Sequence, residues 1–270
     1  MTVIRLLVAY DGTSFAGFQA QPGQRTVQGA LEDALAEIAQ RSVRTKAAGR
    51  TDAGVHALGQ VVTFEDDVLD ADVVMRAMPA LLPSDVAVID AQDGPDGFES
   101  RRSAKSRSYV YLLWSHEAPH PIYRKYSLWT RETLDVRKIN ESLRQIVGTH
   151  DFTSFGRVRP DQSSERTILR ATAVDDLPFI RIQVTGQSFL HQMVRSLVGT
   201  AIEIGAGKRD VSFMRDALVA RNRQAAGQVA PPQGLTLVGV DYDGIAWPRR
   251  VAVSWPWSDA MCSDDVVRCA

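Results

Sequence analysis

The chain has 270 residues, 44% of them hydrophobic, and a formal net charge of −1 at pH 7. That length and apolar share mark a globular protein of one large domain or two modest ones around a buried core. No stretch approaches the roughly 18 consecutive apolar residues of a membrane span, and the opening MTVIRLLVAYDG lacks a basic segment leading into a long apolar run and cleavage site, so a cytoplasmic protein with no membrane partner is expected.

In chain order, Val3 to Tyr10 is rich in β-branched and apolar residues and stops at Asp11-Gly12, which predicts a strand ending in a turn. Thr26 is the expected N-cap of a helix in which Val27, Leu31, Ala34, Leu35 and Ile38 form one apolar stripe. Strands are expected at 43–48 and 60–64, a helix near 71–80 and a strand at 86–91. A second unit begins near residue 104. Tyr109 to Trp114 reads as a strand, and Asp135 as the cap of a helix carrying Ile139, Leu143 and Ile146 and ended by Gly148. Strands at 167–175 and 179–185, helices at 189–204 and from an Asp210 cap through Asn222, and a strand from Leu235 to Asp241 complete it. The expectation is an α+β protein with units at 1–103 and 104–250 and a tail at 251–270, Trp/Pro-rich and then acidic. The only cysteines, Cys262 and Cys269, lie in that tail, where they are expected to be free thiols that neither staple the core nor form a zinc site.

Between the two early strands runs GRTDAGVHALGQVVTF, Gly49 to Phe64. Gly49 and Gly54 have phosphate-loop spacing, but Val55-His56 stands where such a loop needs Lys followed by Ser or Thr. The histidines show no HExxH spacing, and no GxSxG marks a serine nucleophile, so nucleotide hydrolysis, metal hydrolysis and serine hydrolysis are poor readings. Asp52 remains, with two readings open. It can bond its own backbone in an Asx turn, or it can act as a nucleophile on a sugar, as carboxylates do in covalent catalysis. The flanking glycines admit a planar substrate, and Arg50 offers a guanidinium for a base or a phosphate. Arg101, Arg102, Lys105 and Arg107 fall in one seven-residue window, and Arg157, Arg159, Arg166 and Arg170 form a looser group. Each is either a solvated loop or a phosphate contact.

GRTDAGVHALGQVVTF resembles the signature of the TruA family of tRNA pseudouridine synthases. The likeness continues in order through YDGTSFAGFQAQ (10–21), TVQGALEDAL (26–35), FESRRSAKSRSYVY (98–111), DFTSFG (151–156), FLHQMVRSLVG (189–199) and GLTLVGVDY (234–242), so that it covers residues 1 to about 245. The resemblance implies the pseudouridine synthase fold: two subdomains sharing a mixed, largely antiparallel sheet with flanking helices and a cleft between them. It implies an enzyme with no cofactor and no metal that detaches uracil from tRNA, turns it and rejoins it through carbon 5, at positions 38, 39 and 40 of the anticodon arm, working as a homodimer. By the same resemblance Asp52 is the catalytic aspartate and Arg195 its paired arginine. Tyr109 stacks on the flipped uracil, Arg50 helps displace the nucleotide, and Leu237 lines the pocket. The residues themselves give two of these positions other uses. Tyr109 in an aromatic strand reads as core, and Arg195 in an otherwise apolar helix needs a partner if buried. The chain departs from the family pattern at Phe18, Ala20 and Thr236 and in its tail. The rival readings are a non-catalytic RNA-binding module or tRNA chaperone, and a nucleoside hydrolase using Asp52.

Overall fold

The computed structural model describes residues 2–159 and 162–244. The 251–270 tail and both cysteines lie outside the described residues. Contacts divide the described residues into two compact units, one running to Arg107 and taken up again from Leu237 to Gly244, the other Ser108–Thr236. The last strand thus groups with the first unit, where the sequence suggested one continuous block from 104 to 250, because that strand is a neighbour of a strand from the first hundred residues.

In the first unit the strand order is β4-β1-β3-β10, with the short β2 paired to β3. Here β1 is Thr2–Tyr10, β2 Lys46–Ala47, β3 His56–Asp66, β4 Val86–Gly94 and β10 Leu235–Tyr242. β1 pairs antiparallel with both β3 and β4 and is buried on both faces, which is why its sequence runs apolar instead of alternating. Its one charged residue, Arg5, sits opposite Gln92 and bonds that side chain. β10 comes so close to β3 that a Cβ on Gly59 would lie 2.6 Å from the Val238 carbonyl oxygen. Helix α1, Val27–Ala39, starts where Thr26 Oγ1 accepts from the Gly29 N–H at 3.2 Å, and it buries Leu31 and Leu35 completely. Helix α2, Ala71–Leu81, is capped by Asp70 and buries Val74 and Met78.

In the second unit the order is β5-β9-β8-β7, with β6 parallel to β5. β5 is Ala104–Ser115, β6 Leu128–Thr130, β7 Gly148–Asp151, β8 Glu165–Asp176 and β9 Phe179–Gly186. Helix α3, Val136–Arg144, is capped by Asp135, whose carboxylate accepts from the N–H groups of Arg137 and Lys138. Its buried face of Ile139 and Leu143 includes a contact with Gly205 so close that a Cβ there would stand 2.6 Å from Ile139. α4 is Met193–Gly205 and α5 Phe213–Ala220. The fold is α+β with mixed, mostly antiparallel strands, as the sequence predicts. Several boundaries differ. Only two residues of the expected 43–48 strand pair with β3, the strand expected at 60–64 already starts at His56, and α3 ends at Arg144, before Gly148. α4 starts at Met193 because Gln192 is left-handed at φ 64°, and α5 starts at Phe213, not at an Asp210 cap, and ends early where Arg221 is left-handed at φ 46°.

Candidate active site

In the first unit, the segment from Gly49 to Val55 is non-repetitive but held at Gly49, Thr51, Asp52 and Val55. The Gln60 amide donates to the Gly49 carbonyl at 2.7 Å. The Phe18 N–H donates to the Thr51 carbonyl at 3.1 Å, and the Thr51 hydroxyl meets the Tyr10 hydroxyl at 2.8 Å in a buried contact. Burial pushes the Tyr10 phenol up to about 12, so it stays protonated and able to donate at any ordinary pH. The Asp52 carbonyl accepts from the Val55 N–H at 3.1 Å, and Gly54 at φ 78° supplies the positive φ that the third residue of a type II turn requires.

A second wall backs the loop. Gly12 packs so tightly that a Cβ would lie 2.0 Å from the Val55 carbonyl oxygen, and one on Gly17 would lie 2.9 Å from the Thr51 oxygen. His56, fully enclosed, accepts the Gly12 N–H on Nδ1 at 3.0 Å and has Asp11 at 3.2 Å. The loop backbone is therefore fixed by Tyr10, Gly12, Gly17, Phe18 and Gln60, leaving the Asp52 side chain half-buried and Arg50 exposed. Leu237, in the same unit, is completely buried at the start of β10.

In the second unit, Tyr109 on β5 is buried, with its ring edge-on to Phe189 at a centroid distance of 5.3 Å. Arg195 lies in the first turn of α4, half-buried, and its Nε donates to the Ala230 carbonyl at 2.7 Å. Two residues from Tyr109, Tyr111 is wholly buried and donates to the Pro231 carbonyl at 2.9 Å. Burial raises the Tyr111 pKa, and the positive charge of Arg195 partly offsets that rise. None of Tyr10, Gly17, Gln60, Phe189 or Ala230 was singled out from sequence, and Phe18 only as a departure from the family pattern. Several belong to the quoted segments YDGTSFAGFQAQ and FLHQMVRSLVG, which carried a signal without saying what each residue does.

The four-residue basic window does not act as one surface. Arg101, Arg102 and Lys105 are exposed, with Arg102 near Glu99 at 3.3 Å and Lys105 on Asp243 at 2.6 Å. Arg107, expected among the RNA contacts, is instead buried. Its guanidinium donates to the carbonyls of Ala48 at 2.8 and 3.2 Å, Arg101 at 2.7 Å and Ala104 at 3.3 Å. A cation so enclosed is kept by the fan of carbonyls around it.

The family model described as "tRNA pseudouridine synthase" matches residues 6–101 and 143–243, spans that include the Asp52 loop, α4 and β10. A protein of Geobacillus kaustophilus called tRNA pseudouridine synthase A is 41% identical over 243 residues, 89% of this chain and 94% of that one. One of the same name from Burkholderia thailandensis is 40% identical over 265 residues, 97% and 98% of the two chains. Another, from Lacticaseibacillus casei, is 42% identical over 249 residues, 90% and 100% of the two. Fold and matches together define an isomerase of RNA uridines. The chain belongs to the tRNA pseudouridine synthase family, whose members convert uridine to pseudouridine.

Proposed function

We propose that the protein isomerises uridine to pseudouridine at positions 38, 39 and 40 of the tRNA anticodon stem-loop, as a cytoplasmic homodimer, with Asp52 as the catalytic carboxylate. The observation that carries this reading is the loop that bears Asp52. Its backbone is bonded at Gly49, Thr51, Asp52 and Val55 and wedged against Gly12 and Gly17, while the carboxylate side chain keeps partial access to solvent. Positioning of that kind is what a group attacking or deprotonating a ribose needs, since ångström errors in placement cost about two orders of magnitude in rate.

In the proposed reaction Asp52 promotes breakage of the bond between uracil N1 and the ribose. The detached uracil turns, carbon 5 bonds to the ribose, the proton on carbon 5 leaves to solvent, and N1, which kept the electron pair of the broken bond, takes up a proton. An enzyme acting on a stem base must first unstack it, at a few kcal/mol, and Arg50 is assigned that task from its exposed place on the loop. Tyr109 stacks on the extruded base and Leu237 supplies an apolar wall. Arg195 is assigned as the cationic counter-ion of Asp52, the partner whose planar guanidinium suits a carboxylate. Arg101, Arg102 and Lys105 hold phosphates farther out.

Asp52→Asn tests the assignment, because it preserves volume and turn-forming capacity while removing the charge. Release of tritium from 5-tritiated uridine in tRNA, under single-turnover conditions, should fall by several orders of magnitude, with tRNA affinity retained. An Asn variant turning over near the wild-type rate refutes the role of Asp52. Tight binding by the wild-type protein with no pseudouridine formed would favour an RNA-binding module without chemistry.

A further inference from the structure

One stripe of α4 is committed to the segment that returns towards β10. Arg195, Gly199 and Glu203 recur every four residues, with Thr200 alongside, and each meets the backbone of residues 227–230. The Ala230 N–H donates to the Arg195 carbonyl at 3.0 Å, and the Ala230 carbonyl accepts from Arg195 Nε at 2.7 Å. The Gly227 N–H donates to Thr200 Oγ1 at 3.0 Å, and the Gln228 N–H to Glu203 Oε1 at 2.9 Å. Between these bonds Gly199 lies flat against the Gln228 carbonyl. A Cβ at Gly199 would stand 1.8 Å from that oxygen and 3.1 Å from the Ala230 nitrogen. The far end of the segment is fixed by the Tyr111 hydroxyl on the Pro231 carbonyl, and the near end by Arg223, which donates to the Gly227 carbonyl at 3.0 Å.

A guanidinium is planar and Nε lies in its plane, so seating Nε on a fixed carbonyl restricts rotation of the whole group and sets the directions of its terminal nitrogens. The carbonyl that does this belongs to the residue whose N–H is returned to the same arginine. Six backbone groups of residues 227–231 are held by α4, Arg223 and Tyr111, far more than a connection between elements needs.

We infer that the segment 226–231 is a positioning device for Arg195, with Gly199 and Glu203 as the positioning residues that seat it. The inference rests on the reading of Arg195 as counter-ion to Asp52. Displacing the Gln228 carbonyl by the ångström or more that a Cβ at Gly199 demands would carry Ala230 with it and release the guanidinium.

The test is a cycle of Gly199→Ala in the wild-type and Arg195→Lys backgrounds. Lysine keeps the charge but has neither Nε nor a plane to orient, so seating should matter little to it. Single-turnover pseudouridine formation is followed by mass spectrometry alongside tRNA binding and thermal unfolding. Gly199→Ala is expected to slow the wild-type enzyme roughly 10- to 100-fold with tRNA Kd changed less than about twofold, and to slow Arg195→Lys by less than about twofold. Losses that multiply in the two backgrounds, or a folded Gly199→Ala at the wild-type rate, overturn the inference. Should Gly199→Ala not fold, Glu203→Ala takes its place in the same cycle. Glu203→Gln, which keeps an acceptor for the Gln228 N–H, should then restore the rate, and failure to do so overturns the inference equally. Failure of the underlying reading looks different, since the wild type would then make no pseudouridine or Asp52→Asn would keep its rate.

Discussion

Arg102 and Arg107 are the same residue type five positions apart, yet one is an exposed cation and the other holds backbone together. Arg107→Met keeps much of the buried apolar stem and strips donors from the carbonyls of Ala48, Arg101 and Ala104. We expect a loss of about 2 to 3 kcal/mol in urea unfolding, the scale of charged hydrogen bonds lost from enclosed acceptors. Turnover should fall too, because Ala48 leads directly into the Asp52 loop. The salt dependence of tRNA binding should not change. Lysine at 107 should recover only part of the stability, since one ammonium cannot span the carbonyls that a guanidinium fork reaches.

Element ends decide the acid behaviour. At the C-terminal end of β3, Asp66 accepts from the N–H groups of Val68 at 2.8 Å and Leu69 at 3.0 Å and pairs with Arg41 at 2.7 Å. Burial alone would raise its pKa, but the bonds from Leu69 and Val68 and the charge of Arg41 outweigh it and hold the carboxyl below its ordinary value. Asp151, ending β7, is lowered chiefly by the Thr153 hydroxyl. A depressed folded pKa contributes stability that is present above the unfolded value of about 3.9 and is lost as pH falls through the folded one. Wild-type stability should therefore drop as pH falls below about 4, and Asp66→Asn, less stable at pH 7, should show a shallower drop when unfolding by urea is compared across acidic pH. The same ends explain what could be read from sequence. α1 and α3 begin where Thr26 and Asp135 place a side-chain oxygen on the next turn, a local and visible device. α4 has no side-chain cap and follows a left-handed Gln192, so an apolar pattern beginning at Phe189 misplaced its start. β6 and β7, at three and four residues, are too short for any periodicity. The Gly49–Gly54 frame announced a special turn, but what locks it comes from Tyr10, Phe18, Gln60 and Arg107, mostly through backbone carbonyls that no side-chain identity reveals.

For the molecule as a whole, a net charge of −1 means that tRNA must be held by local groups of cations and not by an overall field. Arg101 and Arg102 are exposed candidates. The double variant Arg101→Gln, Arg102→Gln should flatten the slope of log affinity against log salt by about one to two units, towards the lower end because Glu99 already offsets Arg102. An unchanged slope would make them ordinary solvated residues. The division of the chain also bears on its birth. The first unit lacks β10 until Leu237 and beyond have been made, and Ser108–Thr236 is synthesised in between. At about 5–20 residues per second, a ribosome takes on the order of ten seconds over those roughly 130 residues. For that interval the nascent chain exposes the edge of β3 that β10 will cover. Completion of the amino-terminal half is thus timed by translation of the carboxy-terminal strand.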